Sequence, residues 1–207
     1  DEGEYSGVLH MRIILASQSP RRRELLGGLG LPFRVLAPEI DERMDRALSP
    51  DRLVERISLE KAQAAQVLAG PEAIIIAADT VVTLDGAVLG KPRDEADAAR
   101  MLAALSGRRH HVYTGLTVLR GDAADTGHEV AEVAFRALTS QEILDYVSTG
   151  EPLDKAGAYG IQGYGALLVE GIRGDYFNVV GLPLCRLGRM LAQFGVDCLR
   201  RAAGGPA

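Results

Sequence analysis

Residues 73–79 read AIIIAAD, an uninterrupted run of apolar residues that ends on a carboxylate. A short apolar run of this kind, rich in isoleucine, is typical of a strand that is covered on both faces in an α/β sheet. Asp79 then stands at the carboxyl end of the strand, the edge at which α/β sheets bind ligands. Because an aspartate there can also be a turn or capping residue, the run predicts a central strand and only a candidate site.

Strand-like and helical segments alternate on both sides of this run, which indicates an α/β fold. Further strands are predicted at 12–16, 33–36, 112–119, 129–138, 166–172 and 176–182. Helices are predicted at 20–29, 50–69, 94–105 and 184–194, and after a cap at Thr139 or Ser140. Asp85-Gly86 between two apolar segments predicts a hairpin, and the stretch 121–128 predicts a polar turn.

The size and charge of the chain limit the classes of protein to which it can belong. Its 207 residues suit one domain, and we expect residues 11–207 to form it, with residues 1–10 as an extension outside the fold. Lysine and arginine number 23 against 28 acidic residues, which gives a net charge of −5, and aromatic residues make up only 5%. These values argue against a nucleic-acid binder.

The apolar runs and the cysteines indicate the cellular compartment of the protein. No apolar run reaches the roughly 18 residues of a membrane span, and residues 1–10 lack the apolar core of a signal peptide. Cys185 and Cys198 have no CxxC spacing, and we expect both to be buried thiols in a reducing compartment. The sequence therefore predicts a cytoplasmic protein that does not bind membranes.

Residues 17–24 read SQSPRRRE and directly follow the first predicted strand. A serine followed by a proline predicts a helix start, yet the first turn holds three arginines, which the helix dipole disfavours. A strand end, a serine-rich turn and a helix N-terminus together form an anion site. Arg21 and Arg22 suit a polyphosphate because guanidinium groups pair with two oxygens at once, whereas Arg23 is expected to be exposed. Arginines that are merely solvated are the alternative.

Two lysines stand where an anion could meet them. Lys61 lies on the apolar side of the predicted helix 50–69, whose other members are Val54, Ile57, Ala65 and Leu68. Its ammonium must either extend to solvent or contact an anion. Lys91, between the hairpin and the next helix, can reach the same edge of the sheet, although by itself it is a loop lysine.

Five stretches together resemble the Maf family of nucleoside triphosphate pyrophosphatases, once called septum-formation inhibitors. They are ASQSPRRRELL (16–26), IIAADTVV (75–82), LGKPRDEADAARMLAALSG (89–107), TGL (114–116) and DKAGAYGIQGYGALLVEGIRGDYFNVVGLPL (154–184). The resemblance runs in order from about Met11 to Phe194. It implies an elongated α/β fold like that of the inosine triphosphate pyrophosphatases, with a mixed sheet, flanking helices and a cleft between two lobes, and a homodimer.

The same resemblance implies an activity and its residues. The family hydrolyses a nucleoside triphosphate between the α- and β-phosphates, with Mg²⁺ or Mn²⁺, and releases pyrophosphate as part of nucleotide house-cleaning. Asp79 corresponds to the catalytic base, and among cations and a metal it either takes the proton of the water itself or positions a metal-bound water. Ser17, Arg21 and Arg22 correspond to the phosphate-binding loop, Lys61 and Lys91 to basic residues of the cleft, and Glu42 to a metal position.

Three positions distinguish the branches of the family, and here they are Arg21, Thr80 and Gln162. This set resembles the dTTP/UTP pyrophosphatase branch, whereas the branch acting on 7-methyl-GTP carries Glu in place of Gln162 and is the alternative. A side-chain amide offers both a donor and an acceptor, which suits the O4 and N3–H edge of uracil or thymine.

Other assignments stay open at this point. A nucleotide-binding regulator of cell division without turnover is the alternative from another class, but a carboxylate beside a polyphosphate would repel it unless a metal intervenes. Tyr159, Tyr164 and Tyr176 either stack on the base or pack in the core. His110 and His111 are expected at the surface, since they have no metal-ligand spacing.

Overall fold

A mixed seven-stranded sheet with helices on both faces forms the centre of the computed structural model, which describes residues 12–42 and 44–205. The strands are β1 (Ile13–Leu15), β2 (Phe33–Val35), β3 (Ile74–Leu84), β4 (Ala87–Leu89), β5 (Arg109–Arg120), β6 (Ala123–Phe135) and β7 (Val169–Arg173). The helices are α1 (Pro20–Gly27), α2 (Pro50–Ala69), α3 (Glu95–Leu105), α4 (Ser140–Ser148), α5 (Tyr176–Val180), α6 (Leu184–Gln193) and α7 (Cys198–Ala202). The predicted α/β class, with a mixed sheet and flanking helices, is confirmed.

The strand order is β2-β1-β3-β5-β6-β7, and β4 pairs with β3. β1 runs parallel to β2 and β3, whereas the other pairs are antiparallel. Alternate residues of β3 face different helices: Ile74 and Ile76 pack with α1 and α6, and Ile75 and Ala77 pack with α2. Burial on both faces explains the continuous apolar run at 73–78.

β3 does not end at Asp79, as the sequence predicted, but continues for 11 residues to Leu84. β1 ends at Leu15, opposite Ile76, while β3 stays paired with β5 as far as Thr83. The strand continues because the apolar residues beyond Asp79 pack into a second hydrophobic cluster, which α3 and α4 complete. Asp79 therefore lies in the middle of a long strand, just past the end of its parallel partner.

Other segments also differ from the expectations: the predicted strand 166–172 begins only at Val169, after a 3-10 helix at Gly163–Leu167, and β6 ends at Phe135 and not at 138. Residues 176–180 form helix α5 and not a strand, because Asp175 caps the Phe177 amide at 2.8 Å and Gly181, with φ 127°, ends the helix. The turn between β5 and β6 spans only 121–122, because the β5–β6 ladder already pairs Ala123 with Arg120. Helix α7 has no counterpart among the predicted elements.

The cysteine expectation is wrong, since Cys185 is exposed and Cys198 is partly exposed, and both are free thiols. Cys185 lies off the face of α6 that is buried against the sheet, which Leu187, Met190 and Leu191 form. In the described part of the chain, no helix is long and apolar enough to cross a membrane. The expectation for residues 1–10 falls outside the described residues, and the division of 11–207 into two lobes remains a prediction.

His110, expected at the surface, is buried with 1% of its surface exposed, whereas the neighbouring His111 is exposed because side chains alternate along β5. Its ring meets Phe135 and Tyr159 edge-on, and its Nε2 is hydrogen-bonded to the Tyr159 hydroxyl at 2.6 Å. Burial lowers the pKa of His110 to about 4. The imidazole is therefore neutral in the folded protein at neutral pH.

We expect this histidine to make stability depend on pH. Between its ordinary pKa of 6.5 and the folded value of about 4, the unfolded chain binds the proton and the folded protein does not. Stability is therefore lost as the pH falls through this window, by on the order of 3 kcal/mol when complete. Urea unfolding of the wild type and of His110→Gln from pH 7 to pH 4 measures this loss. His111→Gln is the control, and equal pH slopes in wild type and His110→Gln would contradict the assignment.

Candidate active site

Asp79 and Lys61 form an ion pair at the middle of the sheet. Lys61 Nζ on α2 lies 2.8 Å from Asp79 Oδ1 and 2.9 Å from Glu42 Oε1. The Asp79 and Lys61 side chains are mostly buried, at 11% and 16% exposure, while Glu42 is half exposed at 52%. Of the two outcomes that the sequence left open for Lys61, contact with an anion is the one observed. The predicted base, one predicted cation and the predicted metal position thus lie together.

A glycine lets helix α2 approach this strand. Gly115 on β5 pairs with Asp79 in the β3–β5 ladder, so both positions face α2. A Cβ at Gly115 would overlap the Val54 carbonyl and would lie 2.8 Å from the Glu55 nitrogen of α2. Lys61 lies two helical turns beyond Val54, so the close approach at Gly115 sets how near its ammonium comes to the carboxylate. The sequence reasoning assigned no role to Gly115, because nothing local marks a close approach of two backbones.

The serine-rich turn after β1 is organised as a helix start. Ser17 is buried, and its hydroxyl accepts the Ser19 amide at 3.1 Å. The Ser19 hydroxyl in turn caps α1 by accepting the Arg22 amide at 3.4 Å. The turn begins where the Ala16 amide makes the last bond to β3, at the Ile76 carbonyl. The predicted phosphate loop therefore starts within three residues of Asp79 on the neighbouring strand.

Arg22 is tied to β3 and to the segment after α5. Its guanidinium donates to the Gly181 carbonyl at 2.7 Å, to Thr80 Oγ1 at 3.0 Å and to Ser17 Oγ at 3.4 Å. Burial lowers the pKa of Arg22, while the nearby Asp79 carboxylate acts in the opposite direction. Because arginine stays protonated in proteins, Arg22 carries its positive charge next to the predicted base, and its hydrogen bonds hold the predicted phosphate loop against the sheet.

Thr80 belongs to a buried chain of hydroxyl groups. Its Oγ1 lies 2.8 Å from that of Thr114, which donates to the Asn178 carbonyl at 2.9 Å. Because Thr114 donates its proton onward, Thr80 donates to Thr114 and accepts from Arg22. The hydroxyl of Thr80 is thus oriented by the fold, which places α5 against β5.

Arg21 faces the glycine-dense segment that carries Gln162. A Cβ at Gly160 would lie 3.8 Å from Arg21 Nη1 and 2.8 Å from Lys155 Cε, so both side chains approach this glycine on the side where a Cβ would stand. Lys155 donates to the Glu151 carbonyl at 2.7 Å and to Asp154 Oδ1 at 2.9 Å. Gln162 is partly buried, two residues beyond Gly160. The sequence reasoning assigned no role to Lys155, although a lysine within a glycine-dense stretch was a signal for one.

Lys91 is the predicted site residue that lies apart from the others in the structure. It is exposed in the loop between β4 and α3, and within residues 12–42 and 44–205 its ammonium makes no ion pair. The carbonyl of the preceding Gly90 accepts the Gly157 amide at 3.1 Å, so this loop does contact the segment that carries Gln162. Lys91 therefore lies at the rim of the site and not beside Asp79.

The tyrosines separate into two kinds. Tyr159 is buried, and its ring meets Phe135 edge-on at a centroid distance of 4.7 Å, which makes it a core residue. Tyr164 and Tyr176 are exposed, at 62% and 42%. The choice between core and base stacking is therefore settled in favour of the core for Tyr159.

Comparisons with known proteins agree with these features. The family model described as Maf-like protein matches residues 12–194. A dTTP/UTP pyrophosphatase of Symbiobacterium thermophilum is 54% identical over 93% of this chain and 99% of that protein. One of Moorella thermoacetica is 57% identical over 90% of this chain and 96% of that protein. One of Bacillus pumilus is 50% identical over 89% of this chain and 97% of that protein.

A solved structure was also compared. A nucleoside-triphosphatase / dITP/XTP pyrophosphatase of Mycobacterium abscessus is 18% identical over 89% of this chain and 98% of that chain. Its TM-score of 0.46 is too low to support an inference. The family match and the relatives that extend over nearly the whole chain carry the assignment: the chain belongs to the Maf family.

Proposed function

We propose that this protein hydrolyses dTTP and UTP to the monophosphate and pyrophosphate. The observation that carries the proposal is the Lys61–Asp79 pair at 2.8 Å, placed beside a serine-rich helix start that Arg22 ties to the same strand. Relatives with about half of their residues identical, and named dTTP/UTP pyrophosphatases, support this substrate over 7-methyl-GTP.

The phosphate-binding part of the site consists of backbone and cations. The α1 N-terminus presents amides with a positive partial charge, which favours phosphate oxygens. We propose that Arg21, Arg22 and Lys61 add positive charge on the same side and that Lys91 reaches the phosphates from the rim. Charge neutralisation of this kind supplies much of the barrier reduction in phosphoryl chemistry.

Asp79 is the group that we propose to activate water. Its Oδ1 accepts from Lys61, and no described residue donates to Oδ2. Oδ2 is therefore the oxygen that can accept a proton from a water aimed at the α-phosphorus. The water then forms a bond to that phosphorus, the α–β anhydride bond breaks, and pyrophosphate leaves. Lys61 keeps the carboxylate in one orientation throughout.

The donor set fits a divalent metal that is shared with the substrate. Glu42 and Asp79 contact the same ammonium, and no group of three or more metal-ligating side chains occurs among the described residues. Mg²⁺ is commonly held by one or two carboxylates together with substrate phosphates, so Glu42, beside Asp79, would hold Mg²⁺ or Mn²⁺. When bound, the metal would neutralise charge on the phosphates.

Selectivity for the base is proposed to lie with Arg21, Thr80 and Gln162. Gln162 is the member whose amide can pair with the O4 and N3–H edge of uracil or thymine.

We also propose that the protein acts in the cytoplasm as a homodimer in nucleotide house-cleaning. The two free thiols support a reducing compartment, because disulfides form in oxidising ones.

The test is pyrophosphate release from a panel of triphosphates, namely UTP, dTTP, CTP, ATP, GTP and 7-methyl-GTP, each with Mg²⁺, with Mn²⁺ and with a chelator. We expect UTP and dTTP to be preferred and the chelator to abolish turnover, since without the metal the carboxylates of Asp79 and Glu42 would repel the phosphates. Preference for 7-methyl-GTP would contradict the proposed substrate. Binding without release in every condition would favour the regulator of cell division.

A further inference from the structure

A buried tyrosine and a carboxylate bracket Gln162 although neither belongs to the predicted site. Tyr146, on α4, is 5% exposed, and its hydroxyl donates to Glu151 Oε1 at 2.7 Å. The same hydroxyl accepts the amide of Gly160 at 3.3 Å, two residues before Gln162. Burial raises the pKa of Tyr146, and donation to Glu151 adds to the effect, so the phenol keeps the proton that it donates.

Glu151 binds the backbone on the other side of Gln162. Its Oε2 accepts the Tyr164 amide at 3.0 Å, and its Oε1 accepts the Gly165 amide at 3.0 Å. A Cβ at Gly165 would overlap the Gly160 carbonyl and would lie 2.9 Å from the Tyr146 hydroxyl. The segment 160–165 is therefore folded tightly around these two side chains, with Gln162 at its turn.

We propose that Tyr146 and Glu151 are positioning residues that set base selectivity by fixing the backbone on both sides of Gln162. The proposal rests on the proposed function, in which Gln162 reads the base. A glutamine amide offers both a donor and an acceptor, and the position of its backbone sets the distance and angle at which these groups meet the base. Cytosine is the sensitive competitor, because it carries an amino donor where uracil carries the O4 acceptor.

The pair lies on other elements than the proposed base and the lysine that contacts it. Tyr146 and Glu151 lie on and after α4, whereas Asp79 and Lys61 lie on β3 and α2. Gly160, which donates to Tyr146, would place a Cβ 3.8 Å from Arg21 Nη1, so Arg21 is the proposed phosphate-binding residue near the pair. Loosening the pair should therefore weaken discrimination between bases while the hydrolytic step is kept.

Two variants test the proposal. Tyr146→Phe removes the hydroxyl, and Glu151→Gln replaces one acceptor oxygen with an amino group that opposes a backbone N–H. We expect the ratio of kcat/KM for UTP to that for CTP to fall roughly five- to tenfold in each, as the loss of one hydrogen bond permits. The fall should come from a higher KM for UTP, with kcat nearly unchanged. Amide hydrogen exchange at Gly160, Tyr164 and Gly165 should become faster in both.

Glu142→Gln is the matched control, because Glu142 also accepts hydrogen bonds at α4 but binds Thr139 and Arg136 and not the segment 160–165. Equal losses for UTP and CTP, or an unchanged ratio, would overturn the proposal, as would unchanged amide exchange. If the wild type prefers another triphosphate, the proposed substrate fails. The same variants are then judged by whether the preference for that base over the others falls or is kept.

Discussion

Asp79→Asn should lose nearly all hydrolysis of dTTP and UTP while keeping the fold. The amide oxygen can still accept a hydrogen bond from Lys61, but an amide cannot take the proton of the attacking water. General-base catalysis is commonly worth two to four orders of magnitude, and we expect kcat to fall by about a thousandfold or more. Pyrophosphate release with UTP and Mg²⁺ measures the change, and thermal unfolding should show a melting temperature within a few degrees of the wild type.

Asp85→Asn provides the matched control for this substitution. Asp85 lies in the exposed turn between β3 and β4, where it pairs with Arg108 and has a positive φ of 50° that asparagine tolerates well. The substitution Asp85→Asn makes the same chemical change on the same hairpin but away from Lys61, and we expect near-normal turnover. Substantial activity of Asp79→Asn, at more than a few per cent of the control, would contradict the role of Asp79 as base.

Gly115→Ala should damage stability and activity together. The added methyl group would overlap the Val54 carbonyl and lie 2.8 Å from the Glu55 nitrogen, both of which are backbone and cannot move aside alone. Helix α2 must shift, at a cost of about 3 kcal/mol, which corresponds to a melting temperature lower by roughly 6–12 °C. The shift withdraws Lys61 from Asp79, and a misplacement of about 1 Å can cost roughly a hundredfold in rate.

Gly171→Ala separates this effect from the general cost of changing a strand glycine. Gly171 lies on β7, and no atom would come within 4 Å of a Cβ added there. We expect unfolding in urea and UTP hydrolysis of Gly171→Ala to match the wild type. If Gly115→Ala behaved like Gly171→Ala in both assays, the close approach of α2 would not be what positions Lys61.

Much of the fold could be predicted from local sequence signals. Ser49-Pro50 and Gly70-Pro71 bound α2, and the structure places this helix at Pro50–Ala69. Strand propensity gave the wrong prediction for the aromatic and β-branched stretch at 176–180, because Asp175 caps this stretch as a helix. His110 was misplaced because its burial depends on Phe135 and Tyr159, which lie far away along the chain.

Some contacts of the candidate site could also be predicted from the sequence, and others could not. The Lys61–Asp79 contact was foreseeable, because an ammonium on an apolar helix face and a carboxylate after a buried strand are each anomalous alone. Gly115, Tyr146 and Glu151 were not foreseeable, because their roles consist of a close approach and of bonds to backbone amides. Such partners leave no pattern of residue types, and only the folded chain brings them together.

The unbroken pairing of β3 with β5 bears on how nucleotides enter and leave. The ladder runs from Ile75 to Thr83, and Asp79 stands at its centre. A hinge at that point would have to break ladder bonds on both sides of the carboxylate, so domain-style opening is energetically disfavoured there. Opening and closing should instead fall to segments outside this ladder, such as the loop before α3. The Asp79 carboxylate should then stay still through the turnover cycle, with the rate of product release depending on that loop.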